Sequence, residues 1–127
     1  MREVRDAGRT VSVKLRVVRI ELRHLKLPLR FRFETSFGAM TEKSFLLARV
    51  FTADGASGVG ECVAEVDPYY LPETNGTVAH VIKEFLAPRV FAHAFESPAE
   101  TDALFAEIRG HEMAKATLEM AIWDLFA

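Results

Sequence analysis

Two glycines spaced by one residue, Gly58 and Gly60, stand inside a strand-like run that continues Glu61, Cys62, Val63 and Ala64. Glycine inside a strand contributes no side-chain packing, so it marks a bulge or the close approach of another backbone or a ligand. The run passes into Glu65, Val66, Asp67, Pro68, Tyr69 and Tyr70, an acidic and aromatic loop. Pro68 holds Asp67 extended and presets its own φ, so the tyrosines follow at a fixed place. Such loops carry function more often than cores do. The plainer alternative is that Tyr69 and Tyr70 pin the loop onto a core.

The segment before the glycines prepares a hairpin. Residues 44–53 read as a strand, and Phe45, Leu46, Leu47 and Ala48 are apolar on both of its faces, which predicts cover on both sides. Asp54, Gly55, Ala56, Ser57 and Gly58 form the turn back. Further upstream, residues 1–14 are polar and mixed in charge and read as a loose extension. From Leu15 the chain alternates, with Val18, Ile20 and Leu22 apolar; the phase then slips by one to Leu25, Leu27, Leu29, Phe31 and Phe33. A one-residue slip turns side chains to the other face, which predicts a bulge or break near His24. Pro28 marks this part as an edge, or as having left the sheet. Phe33, Glu34, Thr35, Ser36, Phe37 and Gly38 make a second candidate loop. Its phenylalanines either line an apolar pocket or fold the loop onto itself.

Helices follow. Thr74 or Asn75 can cap a helix with the stripe Val78, Val81, Ile82, Phe85 and Leu86, and Pro88 is expected to end it. Ser97, Pro98, Ala99 and Glu100 form a capping box with proline at the first helical position, so a second helix starts there. Gly110 falls where a left-handed C-cap belongs. Residues 111–127 read as a third helix carrying two apolar stripes, Ala114, Leu118, Ala121, Ile122 and Leu125 on one side and Met113, Ala116, Met120 and Trp123 on another. A helix apolar on two sides wants burial on two sides. It stops at Ala127 without cap, glycine or proline, as a truncated element does.

Composition narrows the function. The 127 residues suit one domain with a real core, half of them being apolar, and the net charge of −2 points to neither nucleic acid nor an anionic membrane. The arginines and lysines crowded before position 33 mostly alternate with apolar residues, as on the wet face of a strand. One cysteine, Cys62, excludes an internal disulfide and fits a reducing compartment. There is no apolar signal segment and no run near ~18 apolar residues, so a soluble cytoplasmic protein is expected. Glu61, Glu65, Asp67 and Glu73 read as a solvated acidic loop without metal-ligand spacing, Lys115 as a surface lysine bridged to Glu112 and Glu119, and Cys62 as a small core residue.

Several stretches taken in order carry a resemblance: Ile20-Glu21-Leu22-Arg23, Pro28-Leu29, Phe33 to Gly38, Gly58-Val59-Gly60-Glu61-Cys62, Pro68-Tyr69-Tyr70, Glu73-Thr74 and the run Gly110 to Ala121. Together they resemble the N-terminal capping domain of the enolase superfamily, nearest the N-acylamino acid racemase and o-succinylbenzoate synthase branch of its muconate-lactonizing-enzyme-like subgroup. The resemblance implies an α+β fold, a three-stranded antiparallel sheet followed by a helical bundle. It makes residues 15–110 the capping domain and 111–127 the truncated first helix of a linker to a barrel. In that family the barrel supplies two lysines that move a proton next to a carboxylate and three acidic ligands for a Mg²⁺ that stabilises the enediolate. The cap supplies specificity and water exclusion.

By the same resemblance Phe33, Ser36 and Phe37 form the first lid loop, and Glu65 and Tyr70 the second. A carboxylate at position 65, where some relatives are expected to be apolar, either pairs with a basic ligand group or points to water. A (β/α)8 barrel takes about 250 residues, so the catalytic groups and the metal ligands lie outside this sequence. The implied partners are that barrel and a small carboxylate substrate, with self-association left open, and the chain alone is expected to be inactive. The alternative is a standalone binding or assembly module that uses the doubly apolar last helix as its interaction surface.

Overall fold

The computed structural model describes every residue except Met1, Ala7, Gly8, Ser36, Phe37 and Tyr70, with side chains described for residues 14–27, 44–69 and 71–127. Strands β1 (Arg2–Asp6) and β2 (Arg9–Val13) pair antiparallel as a sheet of their own where a loose extension is expected, in keeping with the β-branched Val4, Thr10, Val11 and Val13. β3 (Leu15–Arg16) pairs later in the fold with β7 (Ala94–Phe95).

The central sheet has the order β4-β5-β6, from β4 (Arg19–Thr35), β5 (Gly38–Phe51) and β6 (Ser57–Cys62), all antiparallel. β6 pairs only with Leu46–Phe51, so the rest of the β4–β5 hairpin continues as a two-stranded ribbon. The expected break near His24 is not there: His24 pairs regularly with Leu46, and the register shifts between Pro28 and Phe33 instead. The slip in the apolar pattern has another cause. Ile20 and Leu22 lie opposite Val50 and Ala48 on the face that packs on the core, whereas Leu25 lies opposite Phe45 on the other face. One unbroken strand changes which face is apolar. Pro28 does lie on an edge strand, as its missing N–H requires.

Cover on both sides of β5 is likewise not met. Leu46 and Ala48 are buried, but Phe45 and Leu47 are half-exposed, because the helices stack on one face of the sheet. The turn is as expected: the Thr52 N–H donates to the Ala56 carbonyl at 2.9 Å and Gly55 takes φ +90°.

Helix α1 (Asn75–Val81) starts at Thr74, whose hydroxyl accepts from the Thr77 N–H while Thr77 returns the bond to the Thr74 N–H. Pro88 does not end this helix. A π-turn over Ile82–Leu86, with the Ala87 N–H donating to the Ile82 carbonyl, leads into α2 (Ala87–Phe91). The wider turn lets the helix restart with proline in its first turn, where the absent N–H is no loss. The extra residue also rotates the face. Val78, Val81, Ile82, Leu86 and Val90 are buried, while Phe85, expected in the stripe, is 51% exposed and edge-on to His80.

The capping box at Ser97 is present: its hydroxyl accepts from the Ala99 N–H at 3.2 Å, and the Glu100 carboxylate accepts from the Ser97 N–H at 3.0 Å. A 3₁₀ turn (Pro98–Glu100) runs into the short helix α3 (Thr101–Phe105), which stops well before the C-cap expected at Gly110. Glu100 also meets His93 Nε2 at 2.7 Å and accepts from the Glu96 N–H. These bonds, the His93 one first, hold its carboxyl below the ordinary value of 4.5. A depressed carboxyl adds stability above its unfolded value and loses it as pH falls through the folded one. Glu100→Gln is therefore expected to flatten the acid limb of a stability-versus-pH curve below about 4.5, measured by urea unfolding at successive pH.

Gly110 is left-handed, φ +67°, but it does not cap the second helix, which has already ended at Phe105; His111 after it is left-handed too, φ +55°. The reversal starts α4 (Glu112–Phe126), which lies along β6. Here the glycine pair finds its reason. A Cβ on Gly60 would sit 1.9 Å from the Thr117 carbonyl oxygen, and one on Gly58 would sit 2.1 Å from that of Ala121. Alternate strand positions share a face, and residues four apart share a helix face, so the two backbones touch along a seam made of glycine and small residues. What approaches Gly58 and Gly60 is a helix backbone. Ala114, Thr117, Leu118, Ala121, Ile122 and Leu125 form the buried face of α4. Of the second stripe, Met113 is partly buried against the core, while Met120 is 48% and Trp123 49% exposed.

Candidate functional site

β6 delivers the chain to the second candidate loop from a fixed base. Cys62 and Ala64 are buried, the Cys62 thiol being the small core group expected, and Glu65 is half-buried. Val66, Asp67, Pro68 and Tyr69 are then exposed, Tyr69 at 68%. The loop closes at its neck, where the Asn75 N–H donates to the Glu65 carbonyl at 3.0 Å. Glu73 closes the other end. Its carboxylate accepts from the Met113 N–H at 3.0 Å and the Ala114 N–H at 3.2 Å, the free donors of the first turn of α4.

The first candidate loop sits at the tip of the ribbon, where Phe33 pairs with Met40 and Thr35 with Gly38 along the backbone. Of the five candidate substrate-binding residues, Glu65 is placed in full and Phe33 by its backbone, while Ser36, Phe37 and Tyr70 lie outside the described residues.

The acidic stretch is not a single solvated cluster. Glu73 faces inward onto α4, and only Glu61 and Asp67 are exposed. Among the described residues no three of His, Cys, Asp and Glu converge as a metal site, and both Glu73 oxygens are already taken by backbone N–H groups. These carboxylates do not fit a Mg²⁺ site, and no metal step can be assigned to them. Lys115 also departs from expectation. Its side chain is only 16% exposed, and its ammonium meets the Ile108 carbonyl and Glu112, at 3.6 Å for the latter, leaving Glu119 aside. The stem of the lysine is packed while its charged end closes the turn after α3.

Two structural roles rest on partners distant in sequence. α4 begins at His111, which makes no side-chain cap, so its donors need a remote acceptor, and Glu73 is that acceptor. A helix start without Ser, Thr, Asp or Asn is the signal that points to such a partner. β6 is an edge strand, and α4 covers it: the Val59 N–H donates to Asp124 Oδ2 at 2.8 Å and the Glu61 N–H to Met120 Sδ at 3.4 Å. Covering an edge in this way blocks pairing with another chain. Asp124→Ala is expected to lower stability by about 1 kcal/mol and to raise aggregation on mild heating, read by denaturant melts and light scattering.

Among the described residues no helix is long and apolar enough to cross a membrane. The chain is 48% identical over 106 residues to an o-succinylbenzoate synthase of Geobacillus kaustophilus, a match covering 84% of this chain and 28% of that protein. It is 44% identical over 113 residues to an N-succinylamino acid racemase of Thermus thermophilus, covering 89% and 30%. A solved structure of an enolase-superfamily member of unknown function from Enterococcus faecalis superposes with a TM-score of 0.82 at 40% identity, over 90% of this chain and 31% of that one. The chain thus spans less than a third of the length of these relatives. The expected α+β architecture, a three-stranded antiparallel sheet followed by helices, is the one observed. Residues 17–127 match the N-terminal domain of the mandelate racemase / muconate lactonizing enzyme family, and the chain belongs to that family as an enolase-superfamily capping domain.

Proposed function

We propose that the chain is the substrate-specificity lid of a Mg²⁺-dependent enzyme of the o-succinylbenzoate synthase or N-acylamino acid racemase type. The observation that carries this reading is the second loop, held at its neck by Glu65 and Asn75 and at its far end by Glu73, with Asp67 and Tyr69 exposed between them. A loop fixed at both ends and open in the middle suits water exclusion and substrate selection. Glu65, Tyr70, Phe33, Ser36 and Phe37 are the residues assigned to the substrate. On this reading the proton-moving lysines and the carboxylate ligands of Mg²⁺ belong to a (β/α)8 barrel, and no residue of this chain makes or breaks a bond. Residues 15–110 form the lid, and residues 111–127 begin the approach to the barrel. The exposed stripe of Met120 and Trp123 supports this, being an apolar surface for the barrel segment to cover. The work is cytoplasmic, where a free buried thiol such as Cys62 persists.

The test is a chimera in which this chain replaces the matching 28% of the Geobacillus kaustophilus relative. Glu65→Ala and Tyr70→Ala in that chimera are expected to raise KM about tenfold or more with a smaller change in kcat. Unchanged KM in both variants would remove the lid assignment.

A further inference from the structure

We infer that Glu73 is a positioning residue that ties the order of the 66–72 loop to the first turn of helix α4. The carboxylate stands at the end of the loop and forty residues before its partners in sequence, yet both of its oxygens accept from consecutive helix N–H groups, Met113 at 3.0 Å and Ala114 at 3.2 Å. A bidentate anion at a helix start is held by hydrogen bonds and by the positive end of the helix dipole together. No other cap competes for the place, since His111 makes no side-chain bond there. The left-handed backbone of Gly110 and His111 brings the helix start round to the loop.

The next two residues complete the clamp. Thr74 caps α1, and the Asn75 N–H takes the Glu65 carbonyl at 3.0 Å, so Glu73 lies one residue from a cap and two from the neck bond. Asn75 is 4% exposed, and its side-chain oxygen has no hydrogen-bond partner among the described residues. The Glu73 bonds to α4 thus act beside the neck bond, and together they fix the end of the loop. Movement of α4 at its start would release the loop, and an ordered loop would hold the helix start in return.

The purpose of the coupling rests on the lid reading, but its test needs neither substrate nor barrel, so failure of one is separable from failure of the other. The probe is the 127-residue chain, ¹⁵N-labelled, as wild type, E73Q and E73A. In E73Q the amides of Met113, Ala114 and Asn75 are expected to exchange about tenfold faster, with core amides such as Val50 changed by less than about threefold. The order parameters of Asp67 and Tyr69 are expected to fall from roughly 0.85 toward 0.6 or below, and E73A is expected to go further in both readouts. Faster exchange at Met113 and Ala114 alone, with Asn75 and the loop unchanged, would overturn the inference and leave Glu73 as a helix cap. Equal acceleration at every amide, or failure of both variants to fold, would also overturn it, since the residue would then act on the whole fold.

Discussion

Gly60→Ala is expected to unseat helix α4 and to lower stability by about 3 kcal/mol or more. The new methyl would lie 1.9 Å from the Thr117 carbonyl oxygen and 3.0 Å from the Ala121 amide nitrogen. These are backbone atoms that cannot rotate aside, so the strand or the whole helix must shift. Such a shift would also pull Asp124 and Met120 away from the β6 amides they cover. Gly76→Ala is the control. Its Cβ would meet nothing closer than the Thr74 hydroxyl at 3.6 Å, and Gly76 lies inside helix α1, where alanine is the better residue. That substitution is expected to raise stability by about 0.5 kcal/mol. Chemical denaturation of the two variants checks both signs, and equal effects would mean that the β6–α4 seam is not a backbone contact.

The second large effect separates the two faces of α4. Leu118→Ala removes a fully buried side chain from the core and is expected to lower stability by about 3 kcal/mol, the sum of lost burial and the cavity left behind. Trp123→Ala, on the 49% exposed side, is expected to change the stability of this chain by about 0.5 kcal/mol or less. In the chimera with the Geobacillus kaustophilus relative the same Trp123→Ala is expected to lower stability by about 2 kcal/mol, because the stripe is then covered. A Trp123 effect of equal size in both settings would show that the barrel segment does not pack on this face.

Much of this fold is written locally and can be read locally. Thr74 and Ser97 announce helix starts because a cap is a bond between residues two or three apart, and both bonds are present. The turn holding Gly55 is legible for the same reason, whereas Gly110 is left-handed without capping the second helix. Gly58 and Gly60 declare that something comes close, though not what comes, because the answer lies sixty residues further on in Thr117 and Ala121. The misreadings share one physical origin, which is that tertiary context chose between local options. Pro88 breaks an α-helix but not a helix that has just taken a π-turn, and the same turn moves Phe85 out of a stripe that looks regular in sequence. The change of apolar phase after Leu22 resembles a bulge, yet it records which face of a continuous strand is covered. Glu73 looks like one more loop acid because its partners, Met113 and Ala114, are distant in sequence. For the candidate site, the resemblance put Glu65 on the second lid loop, while the bond from the Asn75 N–H to its carbonyl has no local signature. The substrate selection proposed for Phe33, Ser36, Phe37, Glu65 and Tyr70 would depend on surfaces outside this chain, which no local pattern encodes.

The most direct test of the central claim is turnover of N-succinylamino acids with Mg²⁺, measured by loss of optical activity, for the purified 127-residue chain and for the same chain joined to the remainder of the Thermus thermophilus relative. The lid account predicts no turnover by the chain alone and recovered turnover in the joined protein; racemisation by the chain alone would contradict it.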